Sequence, residues 1–157
     1  MIFPVAFMLD EAADLGALSL RLFLAAVFGG VIGWERESLD KPAGLRTHML
    51  VAIGAACFTL TGLALFEDFG SDAGNVDPVR VVDGVAGGIG FLGAGSIIKA
   101  GQDPRGLTTA AGIWAVGGVG AACGLGYFWI AGVTSGLSLL VLLVRRLPAF
   151  QNGDPKP

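Results

Sequence analysis

The chain is short of charge, of histidine and of cysteine, and each shortage removes a class of function. Only 15% of its 157 residues are charged, against about 25% in soluble domains, so water is not the main solvent of its surface. Ten Lys and Arg are outnumbered by thirteen Asp and Glu. No basic stripe is left to meet a phosphate backbone, which excludes nucleic acid as a partner. One histidine leaves histidine-based metal or acid–base chemistry almost without material. Cys57 and Cys123 fall inside apolar runs without metal-ligand spacing and read as small packing residues. No nucleophile–base pair stands out either, so the chain reads as a non-enzyme without a cofactor.

What remains is apolar: 54% hydrophobic residues, 26 glycines and a mean hydropathy of +0.72. Five stretches approach the roughly 20 residues that cross a bilayer: Leu15–Trp34, Arg46–Phe66, Val79–Lys99, Leu107–Gly124 and Gly126–Val144. The fold expected is an all-α polytopic membrane bundle of five transmembrane helices, with the last two closed into a hairpin by a Gly-Leu-Gly turn at 124–126. Residues 1–14 read as a short acidic extracytoplasmic segment, 15–146 as the membrane domain and 147–157 as a disordered cytoplasmic tail. The N-terminus lacks the basic region of a signal peptide and places Asp10, Glu11 and Asp14 before the first span.

Basic residues set the orientation. Arg36, Lys41 and Arg46, then Lys99 and Arg105, then Arg145, Arg146 and Lys156 all fall on one side of the five spans. The acids Glu67, Asp68, Asp72 and Asp77 fall on the other. The positive-inside rule then puts the N-terminus outside and the C-terminus in the cytoplasm.

A shift of 62 residues lays Gly33 on Gly95 and "GLRT" at 44–47 on "GLTT" at 106–109. The first four spans therefore read as two related hairpins with a fifth helix added. Within the third span, "GGIGFLGAGSII" contains Gly88-x-Gly90-x-x-Gly93, which is spelled like a dinucleotide-binding turn. That turn needs a preceding strand and an acid about 20 residues on. Here it lies in a segment that must hydrogen-bond its own backbone in lipid, and no acid follows at the right distance. The glycines read instead as a bare helix face: Asp83, Gly87, Gly90 and Ala94 form a stripe, widened by Gly84, Gly88 and Gly95. Ala111, Gly112, Ala115, Gly118 and Ala122 form a matching stripe on the fourth span, and the two are expected to pack together.

Two charged groups attract a functional reading. Arg21 and Asp83 occupy equivalent repeat positions near the outer boundary, where they could pair within the bundle and mark a pathway. Alternatively Arg21 snorkels outward and Asp83 pairs with Arg80. On the inner rim, Glu35 and Arg46 lie on opposite arms of a hairpin and could pair, with Thr47 and Thr109 as hydroxyl partners. Glu35, Glu37 and Asp40 could instead offer oxygens to Mg²⁺, although the interleaved Arg36, Lys41 and Arg46 favour a closed structural network.

"GWERE", "AGLRTHMLVAIGA", "GIGFLGAGSIIK" and "GLTTAAGIWAVGGVGAACGLGYF" resemble, in order and spacing, the membrane domain of the MgtC/SapB family of bacterial inner-membrane proteins. The resemblance covers about residues 20–130. It implies a five-helix bundle of the bacterial inner membrane, linked to low-magnesium adaptation and survival in host cells. Some members are described as Mg²⁺ transport-associated, and others as inhibitors of the F-type ATP synthase. Motif by motif, Glu35, Arg36, Glu37, Gly44, Leu45, Arg46, Thr47, Gly88, Gly90, Gly93, Gly95, Gly106, Leu107, Thr108 and Thr109 carry over. Two departures limit the transfer. Only about a dozen residues follow the last span, where longer members append a soluble domain, and Asp83–Gly84 stand where the family leads one to expect a polar uncharged residue.

Two functions follow. One is a regulator that docks on another membrane complex, such as the F-type ATP synthase, through small-residue helix faces. The other is a carrier of Mg²⁺ or another cation using Asp83 and the inner-rim acids. A homo-oligomer is open in either case.

Overall fold

A computed structural model describes residues 11–69, 78–100 and 103–144. Five helices form: α1 (Glu11–Glu37), α2 (Leu45–Phe69), α3 (Pro78–Gly95), α4 (Leu107–Gly124) and α5 (Phe128–Leu143). By length and composition, Leu15–Glu37, Leu45–Glu67 and Leu107–Gly124 could each cross a membrane, while Phe128–Leu143 is a shorter apolar helix. α1 begins at Glu11, so part of the expected acidic leader is helix. Residues 1–10, the acidic 70–77 connection and the expected tail lie outside the described residues.

The third span ends earlier than expected. α3 stops at Gly95, where Ser96 N–H and Ile97 N–H turn back to Gly93 O and Ala94 O, and the Ser96 hydroxyl also donates to Gly93 O at 2.7 Å. The chain then forms a short ribbon, β1 (Ile98–Ala100) against β2 (Asp103–Arg105), paired antiparallel with Ile98 opposite Arg105. "SIIKA" looks like the end of a span by composition. Pairing of Ile98–Ala100 with Asp103–Arg105 nevertheless lets this apolar segment satisfy its backbone as a ribbon.

α4 is the central column and touches all four other helices. Its close neighbours meet it through missing side chains. A Cβ on Gly120 would run into the Ala52 backbone, one on Gly124 would meet Ala56 O at 2.7 Å, and one on Gly117 would strike Ile89. α1 sits as tightly on α2, where a Cβ on Gly29 or Gly33 would come within 2.8 Å of His48 O or Leu45 Cα. The expected α4–α5 hairpin forms, turning through Leu125–Gly126, with Tyr127 N–H donating to Ala122 O at 2.8 Å.

The distribution of side-chain size is inverted relative to a water-soluble protein. The core is built largely of Ala25, Ala52, Ala56, Ala122 and Ala131 with Val116 and Val119. The large apolar residues point outward, among them Phe23, Phe58, Phe91 and Trp129, the last 89% exposed. In water such a belt would be an aggregation liability. Against lipid tails it costs nothing, and small interior residues are what allow helix backbones to approach closely.

Candidate functional site

The α1–α2 turn is organised by a carboxylate. Glu37, the last residue of α1, accepts the Leu45 N–H at 2.6 Å on Oε2, so it caps the first turn of α2 in place of a local capping side chain. Gly44 makes room for this: a Cβ there would press on the Glu37 side chain. Asp40 takes the left-handed conformation within the turn, with φ 52°.

Glu35 and Arg36 are both 4% exposed, and Arg36 Nη1 lies 3.5 Å from Glu35 Oε2. The separation is an ion pair without a good hydrogen bond. Both Glu35 oxygens and Arg36 Nε are buried without a hydrogen-bond partner. The expected Glu35–Arg46 bridge is absent among the described residues: Arg46 and Thr47 are exposed, whereas Thr109 is buried. α2 begins at Leu45, and its first turn directs Arg46 outward. The inner-rim acids are not gathered, since Glu37 is committed as a cap and Asp40 stands exposed in the turn. Among the described residues no three acidic, His or Cys side chains come within reach of one metal ion.

His48 is the residue that composition undersold. It is fully buried, and its Nδ1 lies 2.8 Å from Gly44 O. A carbonyl only accepts, so Nδ1 carries the proton in the neutral ring and Nε2 presents a lone pair. That lone pair has no partner and faces α4, 3.5 Å from where a Gly112 Cβ would stand. The i−4 spacing from Gly44 to His48 was the available signal. The contact also fixes topology: it sets the start of α2 beside the start of α4, so both hairpin turns share one end of the bundle.

At the opposite end, Arg21 and Asp83 do not meet. Arg21 is half-buried and donates through Nη1 to Gly124 O at 2.9 Å, placing a cation at the C-terminal end of α4 where helix carbonyls are unsatisfied. Asp83 and Arg80 are exposed, and no ion pair joins them among the described residues. The pairing fails because α1 packs on α2, α4 and α5 rather than on α3. Arg21→Met is expected to lower stability in detergent by about 1–3 kcal/mol, the scale of a charged hydrogen bond to a buried carbonyl. Asp83→Asn should leave stability unchanged, and equal losses from the two would restore the discarded pairing.

The glycine stripe of α3 also turns out differently. α3 meets α4 with Ile89 and Gly93, the latter 3.2 Å from Ala110 O by its would-be Cβ, and Ile89 shares a cluster with Ala55 and Ile113. A Cβ on Gly84, Gly87, Gly88, Gly90 or Gly95 would meet nothing within 4 Å, nor would one on Gly118 of α4. The two small-residue stripes therefore do not close on each other. Bulk decides the rotation: Ile89 fills the notch at Gly117, which turns the bare side of α3 outward. Beside it, α2 and α3 enclose an apolar groove of about 730 Å³ floored by Gly54, Gly62, Gly84 and Gly88. Thr108 is exposed at the start of α4.

Inverted packing, helices of membrane length and glycine seams define a polytopic helical membrane protein. Comparison with known proteins makes this specific: the MgtC family profile matches residues 22–149, and the chain belongs to the MgtC family. It is 43% identical to "Putative magnesium transporter YhiD" of Escherichia coli K12 over 126 residues, covering 80% of this chain and 59% of that protein. It is 44% identical to "Protein MgtC" of Salmonella typhimurium LT2 over 109 residues, 69% of this chain and 44% of the relative. "Uncharacterized protein slr0014" of Synechocystis is 39% identical over 137 residues, 87% of this chain and 56% of the relative. The chain thus matches about half the length of these relatives. No solved structure matches it.

Proposed function

We propose that this protein is a regulator of the bacterial inner membrane that docks on another membrane complex and tunes ion or energy homeostasis under low magnesium. The open side of α3 carries this reading. A methyl added at any of five α3 glycines would meet nothing within 4 Å among the described residues, and a helix face without side chains is what lets a second helix approach at bilayer depth. The acids that a carrier would need are dispersed, with Glu37 holding the α1–α2 turn and Glu35 beside Arg36. The family resemblance suggests a complex such as the F-type ATP synthase. Basic residues at the shared end of the two hairpin turns support an N-terminus outside and a C-terminus in the cytoplasm.

Gly90→Leu tests the reading, because nothing stands within 4 Å of a side chain added there. Folded protein should accumulate at the wild-type level and melt within about 0.5 kcal/mol of wild type, yet lose its effect on growth in low magnesium. A Cys placed at Gly87 should crosslink in native membranes to a defined, stoichiometric partner. Loss of folded protein in Gly90→Leu would assign the face to internal packing. The second reading, cation carriage, draws on the name "Putative magnesium transporter" borne by the YhiD relative and on Asp83, exposed and without an ion pair among the described residues. Mg²⁺ flux in liposomes of the purified chain, abolished by Asp83→Asn, would replace the regulator with a carrier.

A further inference from the structure

A second groove, of about 860 Å³, runs along the outer side of α1. Phe23, Val27 and Val31 floor it, Met49 of α2 and Leu139 and Leu143 of α5 flank it, and Glu35 and Ser38 line its rim end. From Phe23 to Ser38 it follows α1 for about 22 Å at 1.5 Å per residue. That is long enough to seat an acyl chain within one leaflet of a hydrocarbon core about 30 Å thick. Trp34 also lines the groove and is 69% exposed, at the level where tryptophans mark a membrane interface.

We propose that this groove is a specific seat for a phospholipid with a primary ammonium head group. The acyl chain would lie on Val27 and Val31 and the ammonium on Glu35. The unsatisfied atoms select the head group. Glu35, which lines the groove, holds two buried acceptors without hydrogen-bond partners. A carboxylate without hydrogen-bond partners is answered best by a cation that can donate N–H. A phosphoethanolamine head supplies N–H donors and an anionic acceptor on one molecule. Phosphocholine has no N–H to donate, and phosphoglycerol has no cation. Approach is from the lipid side, because Glu35 lines the groove while remaining 4% exposed.

The test uses the full-length protein, purified in detergent and offered equimolar phosphatidylethanolamine, phosphatidylcholine and phosphatidylglycerol. Retained lipid is counted by native mass spectrometry. Phosphatidylethanolamine should be retained about tenfold over either competitor, the factor expected for one charge-assisted hydrogen bond. Glu35→Gln should erase that preference. Val27→Trp, which fills the apolar floor without touching the ion pair, should remove the retained lipid while leaving the melting temperature unchanged. This second variant keeps the test decisive if Glu35→Gln does not fold. Equal retention of the three lipids, a preference that survives in Glu35→Gln, or no retained lipid at all would overturn the proposal and leave water as the partner of the pair. None of these outcomes depends on a protein partner, so they stand apart from the test of the regulatory reading.

Discussion

Gly120→Ala is expected to be the most damaging single methyl that can be added to this protein. Its Cβ would lie 2.9 Å from both Ala52 C and Ala52 Cα, and closer still to the carbonyl oxygen. These are backbone atoms of a fully buried residue, so no side chain can rotate away and the α2–α4 seam must open. The cost should reach about 3 kcal/mol, the upper end of the overpacking range. It should be read as loss of the folded form in reversible unfolding in detergent, and as faster proteolysis in membranes. Gly87→Ala is the matched control, because its added methyl meets nothing within 4 Å. If the two variants behave alike, the division of glycines into seam and open positions is wrong.

Gly106→Ala ranks next. Gly106 takes φ 90° and ψ 2° at the N-terminal boundary of α4, a left-handed conformation that costs an L-residue about 1–2 kcal/mol. An added Cβ would also stand 3.2 Å from Ser96 C and run into its carbonyl oxygen. Handedness and clash together should amount to about 3 kcal/mol, seen as a lower melting temperature and new protease cleavage between α3 and α4. Gly106→Asn separates the two causes, since asparagine tolerates the left-handed region but still carries a Cβ. An Asn variant as damaged as Ala identifies the contact with Ser96 as dominant, and a milder one identifies the backbone.

These predictions mark what composition and spacing made legible. Long apolar runs placed α1, α2 and α4 to within a few residues, and the Gly-Leu-Gly turn placed the α4–α5 hairpin. The direction in which each glycine faces was not readable. α3 carries six glycines spread around most of its circumference, so a small-residue stripe can be drawn on more than one side. The contact between Ile89 and Gly117 is a tertiary event with no local signature. The inner rim was legible as a cluster of charges, but the closed network expected there is not what forms: Glu35 pairs with Arg36, Glu37 caps α2 and Arg46 is exposed. Glu37 reaches Leu45 only because α2 begins there, and Glu35 is drawn in beside Arg36 by packing around the end of α1. The repeat illustrates the same limit: Arg21 and Asp83 occupy matching positions, yet one secures the end of α4 and the other stands exposed.

The enclosure of α4 bears on how the chain is made. Among the three helices long and apolar enough to cross a membrane, α4 is the most enclosed, so most of its surface meets protein rather than lipid. Its seat, the Ala52 and Ala56 stretch of α2 with Gly120 and Gly124 set against it, is synthesised well before α4 leaves the ribosome. Assembly should therefore be ordered, with the α1–α2 hairpin acting as the template against which α4 packs. A chain whose α2 seat is spoiled would then leave α4 inserted but unpacked, open to proteolysis in the membrane.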